Sequence, residues 1–124
     1  MEAAVADATA AVAAGRRVAP GDIDAAVRAL VDHYERLGDE VIRWLGSAER
    51  YPLVQHVVEA GTAMHLEWVN AVFSPQLGAL QAPARRARRA VLASVTDVYF
   101  WSLLRRREGL GRTATEKAIL ELVQ

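Results

Sequence analysis

The stretch from Ile23 to Leu45, IDAAVRALVDHYERLGDEVIRWL, decides the fold. Ile23, Val27, Leu30, Tyr34, Leu37, Val41 and Trp44 follow one another at alternating intervals of four and three. That is the repeat of an α-helix, and it gathers these side chains on one face. Val31, Ile42 and Leu45 widen the face beyond a narrow coiled-coil seam, which predicts a helix turned towards a core. On the opposite side, Asp32 precedes Arg36 and Asp39 precedes Arg43 by one turn, the acid-first order that suits a solvated helix surface. His33 falls on this polar side and is expected to be solvated. Asp22 offers an N-cap and Gly46 an end. Gly38 weakens the helix by about 1 kcal/mol relative to alanine, and so marks a close helix crossing.

Working outward, Pro52 suits the first turn of a second helix over Leu53–Phe73. Its apolar face carries Leu53, Val57, Val58, Gly61, Met64, His65, Trp68 and Val72. Ser74-Pro75 stops it and leads into a short turn reaching Leu80. Pro83 opens a long helix, Ala84–Glu108, whose middle is apolar on nearly every side and is therefore expected to be buried on more than one side. Thr113-Ala114-Thr115-Glu116 has the form of a capping box and begins a last helix ending near Val123. At the other end, Ala3–Ala14 is rich in the best helix former but has little to bury. No strand alternation persists beyond a few residues. The expected fold is an all-α antiparallel bundle of about five or six helices. Residues 22–124 form the domain, and residues 1–21 contribute an alanine-rich helix and a turn.

Composition narrows the function classes. Of 124 residues, 52% are apolar and only 4 are proline, which suits a packed helical core. Lys and Arg number 15 and Asp and Glu 15, so the formal charge is zero, whereas a nucleic-acid binder of this size is basic. The halves differ: residues 1–67 hold eleven acids and six bases, residues 68–124 four acids and nine bases. The two halves can therefore answer each other, within one chain or across a dimer. The absence of cysteine excludes disulfides and thiolate chemistry and fits a reducing compartment, so the expected location is cytoplasmic. Glu2 and Asp7 stand where a secretory signal carries positive charge. The least charged run, Ala90–Leu104, falls short of the roughly 20 residues needed to span a bilayer, so no membrane association is expected.

Chemistry-bearing residues are few. His56 and His65 lie nine apart and point to opposite sides of one helix, and His56 with Glu59 offers only two ligands, so no metal site is expected. His65, three residues before Trp68 on the apolar stripe, reads either as a buried histidine satisfied by one neighbour or as a polar group in a ligand cavity. Asp97 is the lone acid between Asn70 and Arg107. Inside an apolar run it must be paired, protonated or placed at a ligand or partner surface. Arg85, Arg86, Arg88 and Arg89 crowd the start of the long helix, against the macrodipole, as a solvated, dimer-rim or anion-binding cluster. Phosphate-binding glycine loops, the HExxH zinc motif and the GxSxG nucleophile elbow are all missing. The sequence predicts no enzyme, no catalytic residue and no cofactor.

The stretch Thr96-Asp97-Val98-Tyr99-Phe100-Trp101-Ser102-Leu103-Leu104-Arg105-Arg106 resembles the regulatory half of the TetR/AcrR family of transcriptional regulators, in which a T-D-x-Y-x-W-x-L-L-R-R pattern recurs near the C-terminus. Gly109-Leu110-Gly111 and Thr113–Val123 resemble the turn and short helix that follow it. Tyr34–Asp39 resembles the family's Y-E-x-x-G-D stretch, and Gly61–Val69 its G-x-x-x-H-x-x-W-V stretch. The resemblance spans about residues 17–123. It implies an all-helical effector-binding domain with a cavity among its central helices, and dimerisation through its last two long helices as a four-helix bundle. The family's N-terminal helix-turn-helix has no counterpart in residues 1–21, which contain neither an aromatic residue nor a lysine. DNA contact is therefore assigned to a helix-turn-helix domain missing from this chain, by truncation or by a start inside a longer frame. A stand-alone small-molecule-binding or heterodimerising module is the alternative.

Two sets of residues follow from this reading. Met64, His65, Trp68, Asp97 and Trp101 are the expected ligand-binding residues, suited to a small hydrophobic or aromatic effector. Val91, Val95, Val98, Ile119, Leu122 and Val123 are the expected homodimer interface.

Overall fold

Burying the apolar face of one long helix organises the chain. A computed structural model describes residues 2–124 and places them in seven α-helices, with no strand among the described residues. In chain order these are α1 (Glu2–Gly15), α2 (Ile23–Ser47), α3 (Pro52–Val72), α4 (Ser74–Gly78), α5 (Ala82–Val95), α6 (Val98–Ser102) and α7 (Arg112–Val123). The N-cap of α2 is Asp22, whose carboxylate accepts the Ala25 N–H at 3.3 Å. Val27, Leu30 and Val31 are fully buried, and α2 packs against α3, α6 and α7, with α1 on its flank. α3 in turn supports α1 and α5. No helix among the described residues is long and apolar enough to cross a membrane.

The core fills one end of this arrangement. There the first half of α2 meets the last half of α3, with Phe73, Leu92, Ile119 and Val123 completely buried. At the other end the same two helices stay incompletely covered: Trp44, Tyr51 and Leu53 are all more than 40% exposed. The apolar stripe of α2 thus continues beyond the region its neighbours cover.

The long helix expected over Ala84–Glu108 is cut in two. At Thr96 the hydroxyl donates back to the Leu92 carbonyl at 2.6 Å, and Asp97 turns to an extended conformation (φ −72°, ψ 153°). Its carboxylate then accepts the Tyr99 N–H at 2.9 Å and caps α6. Thr and Asp both favour such local bonds over continuing a helix. The break, together with the short α4, accounts for a helix count above the expected five or six. α6 runs on as a π-helical turn over Leu103–Arg107, closed by the Glu108 N–H on the Leu103 carbonyl at 2.9 Å. At the last helix, Gly111 rather than Thr113 occupies the N-cap, and no side chain caps it. Thr113 already lies inside the helix, so the expected capping box does not form. Of the arginine cluster, Arg85 donates to the Leu77 and Leu80 carbonyls at the end of α4, and Arg88 donates to Gln76 and to the Gln124 carbonyl. Those two arginines close the ends of α4 and α7.

Trp101 fixes α6 on α2. The indole is fully buried and lies over Gly38. Its N–H donates to Glu35 at 2.7 Å, and Glu35 also takes two bonds from Arg105, at 2.6 and 2.8 Å. These bonds hold the Glu35 carboxyl below its ordinary pKa, the Arg105 guanidinium contributing most. A Cβ at Gly38 would stand 2.6 Å from the Trp101 ring, which makes this the close crossing expected from the sequence. Two effects therefore oppose each other in Gly38→Ala. Helix propensity favours alanine by about 1 kcal/mol, whereas overpacking a rigid indole costs about 1–3 kcal/mol. The clash should win, lowering the urea midpoint of unfolding; a raised midpoint would show that Trp101 does not press on Gly38.

Candidate functional site

The uncovered ends of α2 and α3 open onto a cavity of about 590 Å³, walled by α1, α2, α3, α5 and α6. Apolar side chains make most of the wall, among them Val41, Val57, Val58, Met64 and Phe100. Trp44, Leu66, Tyr99 and Leu103 also line it and are 40–50% exposed, so they form its rim. Gly61 leaves open space where a side chain would stand. The breadth of the cavity follows from the break at Thr96–Asp97, which sets α6 against α2 while α5 stays on α3.

The polar groups of the wall are Arg16, His33, Tyr34, His65 and Asp97, with the hydroxyls of Thr9, Thr62, Ser94 and Tyr99. Arg16 is the centre of a bonded network. Only 2% of it is exposed, and its guanidinium lies 4.2 Å from the Trp68 ring centre and 5.8 Å from that of Tyr34. The Trp68 indole N–H donates to the Arg16 carbonyl at 3.0 Å, and the His65 ring stacks on Trp68 at 5.7 Å. One Arg16 N–H donates to His65 Nδ1 at 2.9 Å. An arginine only donates, so Nδ1 is the acceptor and the ring proton sits on Nε2. Nε2–H then faces the Ala93 carbonyl at 3.2 Å and Thr96 Oγ1 at 3.1 Å. The Thr96 hydroxyl proton is already given to Leu92, so Oγ1 accepts. The Tyr34 hydroxyl donates to the Thr96 carbonyl at 2.7 Å. Four segments, the end of α1, α2, α3 and the α5–α6 break, are tied together by this chain of bonds.

Electrostatics keep the site's histidines neutral. Burial, and then the Arg16 charge, push both His65 and His33 down to about 4. Burial also lowers Arg16 from its ordinary value and raises Tyr34, so the phenol stays protonated. The expectation of a solvated His33 is corrected: the ring is 7% exposed and lies beside Tyr34. The cavity wall occupies that flank of α2, which its 4–3 pattern alone does not reveal.

Of the expected ligand residues, Met64, His65 and Asp97 line the cavity. Trp68 and Trp101 do not: Trp68 packs behind Arg16, and Trp101 faces Gly38. Asp97 and Trp101 do stay one turn apart, the Trp101 N–H donating to the Asp97 carbonyl at 3.3 Å, but as the N-cap of α6 Asp97 folds its carboxylate back onto the Tyr99 N–H, whereas the indole turns to Gly38. Of the expected dimer residues, Val98, Ile119 and Val123 are buried in the chain's own core and cannot also cover a partner; Val95 is half-buried. Val91 and Leu122 remain nearly half exposed. No cluster among the described residues could hold a metal ion. Arg16, Tyr34 and Glu35 were not singled out by sequence; Tyr34 and Glu35 did fall inside the Y-E-x-x-G-D stretch.

Compared with known proteins, the chain matches no family model, no curated protein and no solved structure.

The buried histidines generate a pH dependence. The unfolded chain protonates each ring near 6.5, the folded chain only near 4. Stability is therefore complete above pH 6.5 and is lost as pH falls through that interval, by up to about 1.4 kcal/mol per pH unit for each ring. Urea midpoints should fall between pH 7.5 and pH 5, and His65→Gln should reduce the slope. A midpoint independent of pH over this range would contradict neutral, buried rings.

Proposed function

We propose that the chain is the effector-binding and dimerisation portion of a TetR-like transcriptional regulator, an antiparallel bundle acting as a cytoplasmic homodimer. The observation that carries the reading is the cavity. Its volume of about 590 Å³ lies within the range of small-molecule sites, and its wall is apolar with a few polar groups at one place, the composition that binds and orients a ligand. The motifs of the resemblance also converge on it: His65 and Asp97 lie in its wall, and Trp101 and Glu35 fix the helix beside it. The occupant is a small hydrophobic or aromatic effector. DNA contact in this reading belongs to a helix-turn-helix domain and not to the helices described above.

Filling the cavity tests the reading. Gly61→Leu puts a side chain into open space on the cavity side of α3, and leucine is the better helix former. The variant should fold at least as stably as wild type. A neutral apolar dye such as N-phenyl-1-naphthylamine should light up with saturation in wild type and bind at least tenfold more weakly in the variant. Equal binding in both proteins, or none in wild type, would remove the cavity as a ligand site.

The dimer surface is the exposed side of α5 and α7. These helices pack on each other and present Val91 and Leu122 outward. Obligate interfaces are apolar like a core cut in half. Sedimentation equilibrium at micromolar concentration should give a dimer for wild type. Leu122→Asp should give a monomer of unchanged helicity, since the side chain is not needed inside the protomer. A wild-type monomer would overturn this surface.

A further inference from the structure

Arg16 is out of place in an apolar wall. It is 2% exposed, yet none of the ion pairs among the described residues includes it. A buried charge ordinarily has an opposite charge beside it. Its side chain bonds only to neutral groups, His65 Nδ1 at 2.9 Å and, more loosely, the Tyr34 hydroxyl, and its buried Nε has no partner among the described residues. The rings of Trp68 and Tyr34 stabilise the cation through their faces, at 4.2 and 5.8 Å. Such contacts engage the guanidinium through its π-face and leave in-plane N–H donors unused. A carboxylate engages guanidinium N–H donors in that plane, up to two at once. The other basic groups of the wall, His33 and His65, are neutral above pH 6.5.

We infer that the cavity takes an apolar molecule carrying one carboxylate, which Arg16 binds through its guanidinium while the valine, methionine and phenylalanine wall covers the body. The inference rests on the cavity reading above. One carboxylate fits better than a phosphate, because Arg16 is the single cationic side chain in the wall and Asp97 adds a negative one. Asp97 does not serve as the missing counter-ion. Its carboxylate accepts the Tyr99 N–H at the start of α6 and forms no ion pair with Arg16. Arg16 thus has two functions: it ties α1 to α3 through Trp68 and His65, and it selects the charge of the ligand.

Titration calorimetry at pH 7.5 tests this with two pairs of probes that differ only in the head group, 2-naphthoate against 2-naphthamide and decanoate against decanamide. In wild type at least one carboxylate should bind tenfold or more tightly than its amide. In Arg16→Gln the ratio of carboxylate to amide affinity should fall to about one, whatever the affinity of the amide itself; Arg16→Lys, which keeps the charge without the planar fork, should retain part of the preference. If the glutamine variant fails to fold by circular dichroism, the wild-type pairs and the lysine variant decide. Amides that bind as tightly as the carboxylates, or a preference that survives Arg16→Gln, would overturn the carboxylate assignment and leave the cavity reading standing. Absence of binding by all four compounds and by the neutral dye would remove both.

Discussion

The seat of Trp101 on Gly38 is the contact on which the rest of the structure depends. A fully buried indole has room against α2 only because residue 38 lacks a side chain. Once there, its N–H must find an acceptor, and Glu35, one turn earlier on α2, provides it. Glu35 is then held from its other side by Arg105 in a two-point bond, the geometry in which an arginine–carboxylate pair is strongest. α6 and its π turn are thereby locked to α2. Because α5 packs instead on α3, the chain must bend between them, and it does so at Thr96–Asp97. The cavity lies where α2, α3 and these two segments diverge.

Across the cavity, Arg16 does for α1 what Trp101 does for α6. An alanine-rich helix buries too little apolar area to hold its place alone. The end of α1 instead carries a long cationic side chain that slides between two aromatic rings and bonds to a third. The same side chain sets the proton positions of the network. With Nδ1 of His65 held as acceptor, the remaining donors and acceptors through Thr96 to Leu92 can be satisfied in only one order. The site is therefore preorganised in charge as well as in shape: one fixed cation, two neutral imidazoles and a protonated phenol.

The two ends of the molecule illustrate how one apolar pattern supports different outcomes. Leu30 and Val31 in the first half of α2 are sealed by neighbouring helices, whereas Val41, Trp44 and Leu45 in the second half line open space. Nothing in side-chain type separates the two sets. What differs is whether another helix reaches them.

The sequence by itself determined the helical class, the extent of α2 and α3 to within about two residues, the cap at Asp22 and the tight crossing at Gly38, because each depends on local spacing or on one residue's conformational limits. It also brought forward Met64, His65 and Asp97, which share a cavity wall. Only the tertiary structure decided that the Ala84–Glu108 segment bends, since a Thr-Asp pair supports either a continued helix or a new cap and packing selects between them. The bend makes Asp97 a helix cap while Trp101, one turn on, seats against Gly38, and closure of the core over α7 takes Ile119 and Val123 inward. Arg16 could not be found from spacing, because its burial comes from partners 18, 49 and 52 residues away, on helices that meet it only once folded.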